Sequence, residues 1–302
     1  MPAPLKRHPL NQSKLFRVKT RMKLATIFGL TEEALQAITS MDRPYSQRQL
    51  ELVKNGKVKI REIQEPRGAL RPIHERMQAL LSRIEPPDFL FCPVKRRSYV
   101  SNAARHAGAR HVRTLDVKTY FPSTPQHRVF WFFRTVLQCE PDVSAILAKL
   151  LTVDGHLATG STVSPILSFF AFYDMWHNIA ERVRSYGCVL SVYMDDVTIS
   201  GDNVCDLLVW EVQKQIYSRG LRYHKERDFR SGTAEVTGVL LRGGKLSIPN
   251  RQHLKAHLLR RELKTAGDAE RLLAVSQSLV GLRSQRKQIE SHCRAIGGKS
   301  TT

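Results

Sequence analysis

Two aspartates, Asp195 and Asp196, stand side by side in the segment SVYMDDVTISG, between two short runs of β-forming residues. A third, Asp116, ends another apolar β-like run, HVRTLDV. Adjacent carboxylates repel each other, and burying them unpaired costs several kcal/mol or forces protonation. A divalent cation removes this conflict, and three carboxylates that hold two Mg²⁺ ions suit in-line phosphoryl transfer. We therefore predict that these aspartates are catalytic and bind two Mg²⁺ ions. For Met-Asp-Asp alone, a plain hairpin turn is the alternative.

The segments around these aspartates predict the elements that position them. Residues 111–117 read as a buried strand, and the flanks of Met-Asp-Asp read as the two strands of a hairpin. Apolar periodicity predicts helices over residues 24–42, 73–85, 126–138, 142–152, 166–186 and 204–220, and from about 250 onward. The order lacks a regular βαβ rhythm, and neither GxGxxG nor GxxxxGK[ST] occurs. This pattern favours an α+β fold with an antiparallel sheet backed by helices.

The charge balance points to a polyanionic partner. The 302 residues include 48 Lys and Arg against 27 Asp and Glu, a formal charge of +21. Neutralising phosphates is the usual use of such an excess, although a basic protein without a specialised partner is the alternative. Five scattered cysteines without a CxxC pair indicate a reducing compartment. Neither a secretory signal nor a membrane-spanning stretch is recognisable, so we expect a cytoplasmic protein without a membrane partner.

Three motifs in a fixed order resemble those of reverse transcriptases. LDVKTYFPS comes first, LATGSTVSP follows, and YMDD comes third, so the resemblance covers roughly residues 50–245. Two further motifs resemble the signatures of bacterial retron reverse transcriptases. The first is NAARH, which runs from Asn102 to His106 and matches their NAxxH pattern. The second is VTG, formed by Val236, Thr237 and Gly238.

The resemblance implies a right-hand polymerase fold, in which a palm with an antiparallel sheet lies between fingers and a helical thumb. Residues 1–48 would form a basic N-terminal helical extension. Residues 49–110, with part of 125–160, would form the fingers, and residues 111–245 the palm. Residues 246–302 contain 11 basic and 4 acidic residues and would form a basic helical thumb.

The resemblance also assigns roles to single residues. Asp116 and Asp195 would be the principal metal ligands with Asp196 in support, and the backbone carbonyl of Val117 would complete one metal shell. Phe121 would lie under the sugar of the incoming nucleotide and exclude a 2′-hydroxyl group. The remaining nucleotide-binding candidates are Arg61, Arg71, Gly160, Ser161, Tyr193 and Met194. The candidates for RNA binding or family signature are Asn102, His106, Val236, Thr237, Gly238, Lys255, Arg260, Arg283, Arg286 and Lys287.

The sequence departs from the family pattern at two places. Ala158 and Thr159 stand where many reverse transcriptases have Pro-Gln, which removes the usual glutamine contact to the nucleotide. After YMDD the family tends to carry Asn-x-x-Lys, whereas this chain offers His224, Lys225 and Arg227 as cations near pyrophosphate.

As an expectation, the resemblance implies an enzyme that copies part of a cognate structured noncoding RNA into short, 2′,5′-branched single-stranded DNA. Its substrates would be dNTPs, and its partners the RNA, the DNA product, a separate effector protein in phage defence, and a host ribonuclease H that removes the template. Another short bacterial reverse transcriptase (intron-type, diversity-generating or abortive-infection) is the first alternative. A catalytically idle RNA-binding scaffold and a two-metal nuclease are the others.

Overall fold

The computed structural model describes residues 6–42, 44–54, 57–265 and 268–297. It is a mixed α/β protein with helices and several sheets, and it divides into two compact units. Unit 1 comprises Met1–Asp88, Val117–Ile179 and Gln213–Tyr223. Unit 2 comprises Phe89–Asp116, Ala180–Val212 and His224–Thr302.

The helices of the described residues are α1 (Arg21–Phe28), α2 (Glu32–Thr39), α3 (Leu70–Leu81), α4 (Tyr99–Ala104), α5 (Gln126–Trp131), α6 (Pro141–Leu151), α7 (Ser164–Ala171), α8 (Tyr173–Ser185), α9 (Asp206–Ser218), α10 (Asn250–Thr265) and α11 (Ala269–Gly297). A 3₁₀ turn occupies Leu10–Gln12, and a π-helical turn occupies Phe132–Val136. The strands are β1 (Tyr45–Lys54), β2 (Lys57–Pro66), β3 (Leu90–Cys92), β4 (His111–Val117), β5 (Thr152–Val153), β6 (His156–Leu157), β7 (Val189–Tyr193), β8 (Asp196–Gly201), β9 (Tyr223–Phe229), β10 (Thr233–Val236), β11 (Val239–Arg242) and β12 (Lys245–Ser247).

The largest sheet has five strands in the order β3-β7-β8-β4-β9. Strands β7 and β8 form an antiparallel hairpin, β8 pairs antiparallel with β4, and β3 pairs parallel with β7. Side chains alternate between the two faces of a strand. One face of β4, β7 and β8 is therefore largely apolar and buried, with Leu115, Leu190, Val192, Val197 and Ile199.

The opposite face of the same three strands is mostly polar, and we call it the aspartate face. Three rows of paired residues cross it. They are Tyr193–Asp196–Asp116, Ser191–Thr198–Thr114 and Val189–Ser200–Val112. The carboxylates thus lie at one end of the face, and an apolar end lies two rows away.

In unit 2, a hydrophobic cluster packs on this face and covers its apolar end. It joins Val112 to helix α4, to the three-stranded sheet β10-β11-β12 and to helix α11. Its buried members are Val100, Ala103, Val112, Ala234, Val236, Val239, Leu241, Leu246 and Ile289. The NAARH and VTG motifs therefore belong to the layer that packs on the aspartate face.

Unit 1 contains the β1–β2 hairpin, the short β5–β6 hairpin and most of the N-terminal and central helices. Its core is rich in aromatic side chains. The rings of Phe132 and Phe170 stack with centroids 4.9 Å apart, and Phe169 packs edge-on against Phe170. Such pairs add to the stabilisation from burial.

Several helices are shorter than the sequence predicts. The helix expected over 24–42 is two helices, since Gly29 ends α1 in the left-handed region at φ 71° and Thr31 caps α2. The helix expected over 166–186 is interrupted at Phe172. Strand β1 was not anticipated. The Asn-Gly sequence at residues 55–56 predicts a turn before an alternating strand, and these two residues lie outside the described residues.

Among the described helices, none combines the length and the apolar character that crossing a bilayer requires.

Candidate active site

The three aspartates meet at one end of the aspartate face in unit 2. Asp116 on β4 lies directly opposite Asp196 on β8 in the antiparallel register, and Asp196 pairs with Tyr193 across the hairpin. Asp195 precedes Asp196 in the two-residue turn. The register of three strands thus brings together carboxylates that are 80 residues apart in sequence.

Burial and electrostatic repulsion both act on the carboxyl group of Asp196. Burial, together with the negative charges of Asp195 and Asp116, raises the pKa of its carboxyl from the ordinary 3.8 to about 6, although Lys225 and Arg227 oppose the shift. Asp116 and Asp195 are therefore close enough to Asp196 to disfavour its ionised form.

Cations from strand β9 lie against Asp116. The Lys225 ammonium group donates a hydrogen bond to Oδ2 at 3.2 Å, and Nδ1 of His224 lies 3.5 Å from Oδ1. With the side chains in these positions, no group of three or more His, Cys, Asp or Glu residues in the described ranges is arranged as a ready metal cage. Of the three basic residues considered after YMDD, Lys225 makes the hydrogen bond to a predicted catalytic carboxylate.

The turn that carries the paired aspartates is conformationally constrained. Met194 has φ 56°, a left-handed conformation that costs about 1–2 kcal/mol for a residue with a side chain. Tyr193 is half-buried, and its hydroxyl hydrogen-bonds with the Cys92 thiol at the end of β3. Burial is the main cause that raises the pKa of Tyr193 to about 12, so its hydroxyl stays protonated.

A polar pocket of about 270 Å³ opens beside the carboxylates, within unit 2. Its floor is the aspartate face, and its other walls come from α4, β9 and the β10–β11 hairpin. The lining residues are Tyr99, Thr114, Leu115, Asp116, Tyr193, Asp196, Thr198, Lys225, Arg227, Glu235, Thr237 and Gly238. Hydroxyl groups and charged groups of both signs therefore surround a space next to the predicted catalytic centre.

The NAARH and VTG motifs lie on this pocket or directly behind it. Val236 ends β10, and Thr237 and Gly238 form the two-residue turn to β11 with φ 45° and 80°. Asn102 and His106 are buried, and both contact polar side chains of unit 2.

The Gly-Ser loop lies in unit 1, where it docks on strand β2. The Thr159 hydroxyl accepts a hydrogen bond from the Gln64 amide and donates one to the Glu62 carbonyl, at 3.1 and 2.9 Å. The Gly160 amide donates to the Gln64 carbonyl at 2.9 Å. Thr159, where the family pattern has glutamine, thus uses its side chain to hold the edge of a strand.

Ser161 is buried, and its hydroxyl lies 2.6 Å from Nδ1 of His74. Nε2 of His74 lies 2.8 Å from the Leu150 carbonyl, so this nitrogen carries the proton and Nδ1 accepts from Ser161. Burial lowers the pKa of His74 to about 4, which keeps the ring neutral. The Ser161 side chain is therefore committed to the interior of unit 1, and contact with a nucleotide stays a prediction for the backbone of this loop.

Val117, whose backbone carbonyl is a predicted metal ligand, and the predicted nucleotide-binding residues Phe121, Arg61 and Arg71 also lie in unit 1. Val117 is the buried last residue of β4. Phe121 is half-buried, and its ring lies beside that of Tyr120, whose hydroxyl donates a hydrogen bond to the Ser168 carbonyl. Arg61 is exposed on β2, and exposed Arg71 pairs with Glu75 one helical turn away. Their roles stay predictions.

The predicted RNA-binding cations lie on the two C-terminal helices. Lys255 and Arg260 are exposed on α10, and Arg283, Arg286 and Lys287 are exposed on α11. Arg286 pairs with Glu290 at 2.7 Å. An exposed pair of this kind contributes little to stability, so the guanidinium group can exchange partners readily.

Sequence reasoning did not find the polar residues that support the hairpin from the aspartate face. Ser191, Thr198 and Ser200 are buried at 0–2% exposure, and Thr114 lies beside Thr198. The signal was present in the alternation of polar and apolar residues along SVYMDDVTISG, which marks one face as polar. Ser191 and Ser200 contact His106, and this contact was not predictable because His106 lies 85 or more residues away in sequence.

The curated proteins to which this chain is similar include several retron reverse transcriptases. The chain is 29% identical to the retron Se72 reverse transcriptase of Salmonella heidelberg over 249 residues, which cover 77% of this chain and 65% of that enzyme. It is 31% identical to the retron Mx65 reverse transcriptase of Myxococcus xanthus over 206 residues, 61% of this chain and 46% of that enzyme. The chain is thus similar in sequence to retron reverse transcriptases.

A third relative is the retron Ec48 reverse transcriptase of Escherichia coli, with 25% identity over 61% of this chain and 48% of that enzyme. The chain thus spans about half to two thirds of the length of the curated relatives it matches. No protein-family model matches it. The resemblance to retron enzymes stated from NAARH and VTG is confirmed.

Gly160→Ala tests the docking of the Gly-Ser loop. A Cβ atom at this position would lie 2.5 Å from Cγ of Glu65, 2.8 Å from Cγ2 of Ile63 and 2.9 Å from the Gln64 carbonyl oxygen. We expect the free energy of unfolding to fall by about 1–3 kcal/mol in chemical denaturation. Gly281→Ala is the control, because its Cβ meets open space in a helix and should raise stability by up to about 1 kcal/mol. Equal effects of the two substitutions would contradict the tight docking.

Asp196→Asn tests the repulsion between the carboxylates. The native carboxyl holds its proton up to about pH 6 and the unfolded one only up to about 3.8, so the native state binds more protons in this window. Wild-type stability therefore falls as pH rises from about 4 to about 6, and the loss persists above it. In chelator-containing buffer at pH 7, we expect the variant to be more stable than wild type by up to about 3 kcal/mol.

The same substitution should flatten the pH dependence of the unfolding free energy between pH 4 and pH 6. Asp202→Asn is the matched control, since it removes the same charge from an exposed position in unit 2 and should leave the slope unchanged. A destabilised Asp196→Asn protein at pH 7 would show that Asp196 is not under electrostatic stress.

Proposed function

We propose that this protein is an RNA-directed DNA polymerase of the retron type, which copies part of a structured noncoding RNA into DNA. The observation that carries the proposal is the pairing of Asp116 with Asp196 beside Asp195, in a YMDD hairpin with the motif order of reverse transcriptases. Similarity to retron reverse transcriptases over most of the chain supports the retron type.

The residues present fit a pair of Mg²⁺ ions. Carboxylate oxygens are the ligands that Mg²⁺ prefers, and burial together with the negative charges of Asp195 and Asp116 raises the pKa of Asp196. Asp116, Asp195 and Asp196 would hold the ions, with the Val117 carbonyl in support, after Lys225 leaves Asp116. The ions would activate the attacking hydroxyl and stabilise the leaving pyrophosphate.

The chain's own groups would bind and orient the substrates. Lys225 and Arg227 line the pocket beside the carboxylates and are placed to neutralise phosphate oxygens. Phe121 would select dNTPs through a steric clash with a 2′-hydroxyl group. The backbone of the Gly160–Ser161 loop, held by Thr159 and His74, would lie against the nucleotide or template, and Arg61 and Arg71 would contact the triphosphate.

The proposed architecture is the right-hand arrangement with fingers, palm and thumb at the boundaries expected from sequence. The formation of the β1–β2 hairpin and of two long, basic C-terminal helices agrees with fingers and thumb modules. Exposed Lys255, Arg260 and Arg283 on these helices supply the charge that RNA backbone binding requires.

The finer biology of the proposal comes from the family resemblance. It includes a 2′,5′-branched DNA product, a separate effector protein with a role in phage defence, template removal by a host ribonuclease H, and action in the cytoplasm. A retron noncoding RNA as template and primer is the partner that the similarity to retron enzymes supports best.

Metal binding can be tested without measuring activity. Mg²⁺ that binds the native state but not the unfolded state raises the melting temperature with concentration. We expect this rise in wild type and its loss in an Asp116→Asn, Asp196→Asn double variant, with ionic strength matched by KCl. If the melting temperatures of both proteins rose equally with Mg²⁺ concentration, the ions would bind at a site other than these aspartates.

The decisive experiment is to purify the full chain from cells that carry its native neighbouring DNA and to analyse the bound nucleic acid on a denaturing gel. We expect a discrete DNA that shifts on ribonuclease and debranching treatment. An Asp195→Asn, Asp196→Asn variant should retain RNA and contain no DNA.

Each other outcome selects an alternative. Bound RNA without DNA in the wild type would favour the idle RNA-binding scaffold. Unbranched or heterogeneous DNA would favour an intron-type, diversity-generating or abortive-infection enzyme. DNA synthesis by the double-aspartate variant would refute the assignment of the catalytic residues.

A further inference from the structure

A single buried imidazole connects both strands of the YMDD hairpin. Nε2 of His106 lies 2.7 Å from the Ser191 hydroxyl on β7, and Nδ1 lies 2.7 Å from the Ser200 hydroxyl on β8. His106 is 1% exposed, and the two serines are 0% and 1% exposed. These hydrogen bonds fix the position of one strand relative to the other, one to two rows behind Asp196.

Burial keeps the imidazole ring of His106 neutral in this position. A neutral imidazole has one donor nitrogen and one acceptor nitrogen, so one serine accepts from the ring and the other donates to it. Burial, helped by the charge of Arg105, lowers the pKa of His106 to about 3. The link between the strands therefore persists across the whole working pH range.

The other end of the NAARH segment holds the VTG turn. The Asn102 amide lies 3.4 Å from the Thr237 hydroxyl, and this hydroxyl donates to the Tyr99 carbonyl at 2.9 Å. The side-chain oxygen Oδ1 of Asn102 is buried without a hydrogen-bond partner among the described residues. Leaving such an acceptor unsatisfied is unfavourable, which argues against selection for stability alone.

Thr237 itself is unfavourable in its turn. A β-branched residue at φ 45° is a genuine backbone outlier, and Asn or Gly suits this position better. The hydroxyl group is what Thr offers there, and it makes both hydrogen bonds of the turn to α4. Strained backbone held by specific contacts is typical of functional sites.

Helix α4 also contacts the C-terminal helices. The Tyr99 hydroxyl donates to Oε1 of Gln288 on α11 at 3.1 Å, and Ile289 of α11 is buried in the cluster beneath α4. Glu235, next to the VTG turn, forms a two-fold ion pair with Arg251 on α10. The contacts that lead from the YMDD hairpin through α4 and the VTG turn to helices α10 and α11 all lie within unit 2.

We propose that the NAARH and VTG motifs form one hydrogen-bonded bracket that positions the catalytic hairpin. Its members are Ser191, Ser200, His106, Asn102, Thr237 and Tyr99. They are positioning residues, because they reach the reaction only through the placement of Asp195 and Asp196 and through the wall of the adjacent pocket. This inference rests on the proposed polymerase function.

The test replaces hydrogen-bonding side chains by apolar groups of similar shape, because removing partner side chains together leaves fewer buried groups unsatisfied than removing one of them and so limits the damage to the fold. One variant combines His106→Leu, Ser191→Ala and Ser200→Ala. A second combines Asn102→Leu and Thr237→Val. His106→Gln is the conservative variant, since an amide retains one donor and one acceptor.

The full-length proteins are assayed for dTTP incorporation on a poly(rA) template with an oligo(dT) primer, and their melting temperatures are measured. We expect both combined variants to keep a melting temperature within about 4–8 °C of wild type. Because small displacements of catalytic groups are costly, kcat should fall about tenfold to a hundredfold while KM for dTTP stays within about twofold. The Mg²⁺ concentration for half-maximal synthesis should rise, and His106→Gln should restore most of kcat.

Ser144→Ala is the matched control, because Ser144 is a fully buried serine of unit 1 whose hydroxyl, among the residues that the structure describes, donates to the Glu140 carbonyl at the start of its own helix. A kcat equal to that of wild type in either combined variant would refute the proposal that these hydrogen bonds position the catalytic hairpin. So would unfolding of both, because the hydrogen bonds would then be needed for folding rather than for positioning. A wild-type protein that makes no DNA on this template or in cells would refute the proposed function instead, whatever the variants do.

Discussion

The structure of unit 2 depends on keeping carboxylates close together against their mutual repulsion. Asp116 and Asp196 are directly opposite each other, and Asp195 is adjacent in the turn. The pKa of Asp196 shows that the ionised state is strained by burial and by its neighbours. Lys225, which lies on strand β9, reduces the repulsion among the carboxylates but does not remove it. The surrounding sheet must therefore hold these groups in place by other interactions.

The first of these is the set of interactions that fixes the register between strands β4 and β8. A slip of one residue between β4 and β8 would move Asp116 to the opposite, apolar face of the sheet. The buried apolar residues on that face, such as Leu115 and Val197, make this slip unfavourable. On the aspartate face itself few apolar contacts are available near the carboxylates, so polar links from buried side chains carry this function. The bracket around His106 is the link that spans both strands of the hairpin.

Local sequence patterns predicted the elements of the site well. The strand over 111–117 and the hairpin around Met-Asp-Asp were both confirmed, because β-forming alternation and a two-residue turn act over short distances. Helices 24–42 and 166–186 were wrong as single helices. Gly29 was a visible terminator, whereas the irregular backbone at Phe172 lies in a run of helix-compatible apolar residues. The partners of His106 and Thr159 could not be predicted, because each lies 85 or more residues away along the chain.

The charge of the whole chain and the charge of the site have opposite signs, and distance decides which one a substrate meets. The formal charge of +21 attracts a polyanion from afar, but at physiological ionic strength interactions between exposed charges are screened beyond about 8 Å. At the carboxylates, the field is set by near neighbours, of which Lys225 and Arg227 are the cations that lower the pKa of Asp196. Two cations against three carboxylates leave the corner negative, and phosphates would be repelled from it. The proposed Mg²⁺ ions would offset this negative charge, so they would help a nucleotide triphosphate to approach the residues predicted to act on it.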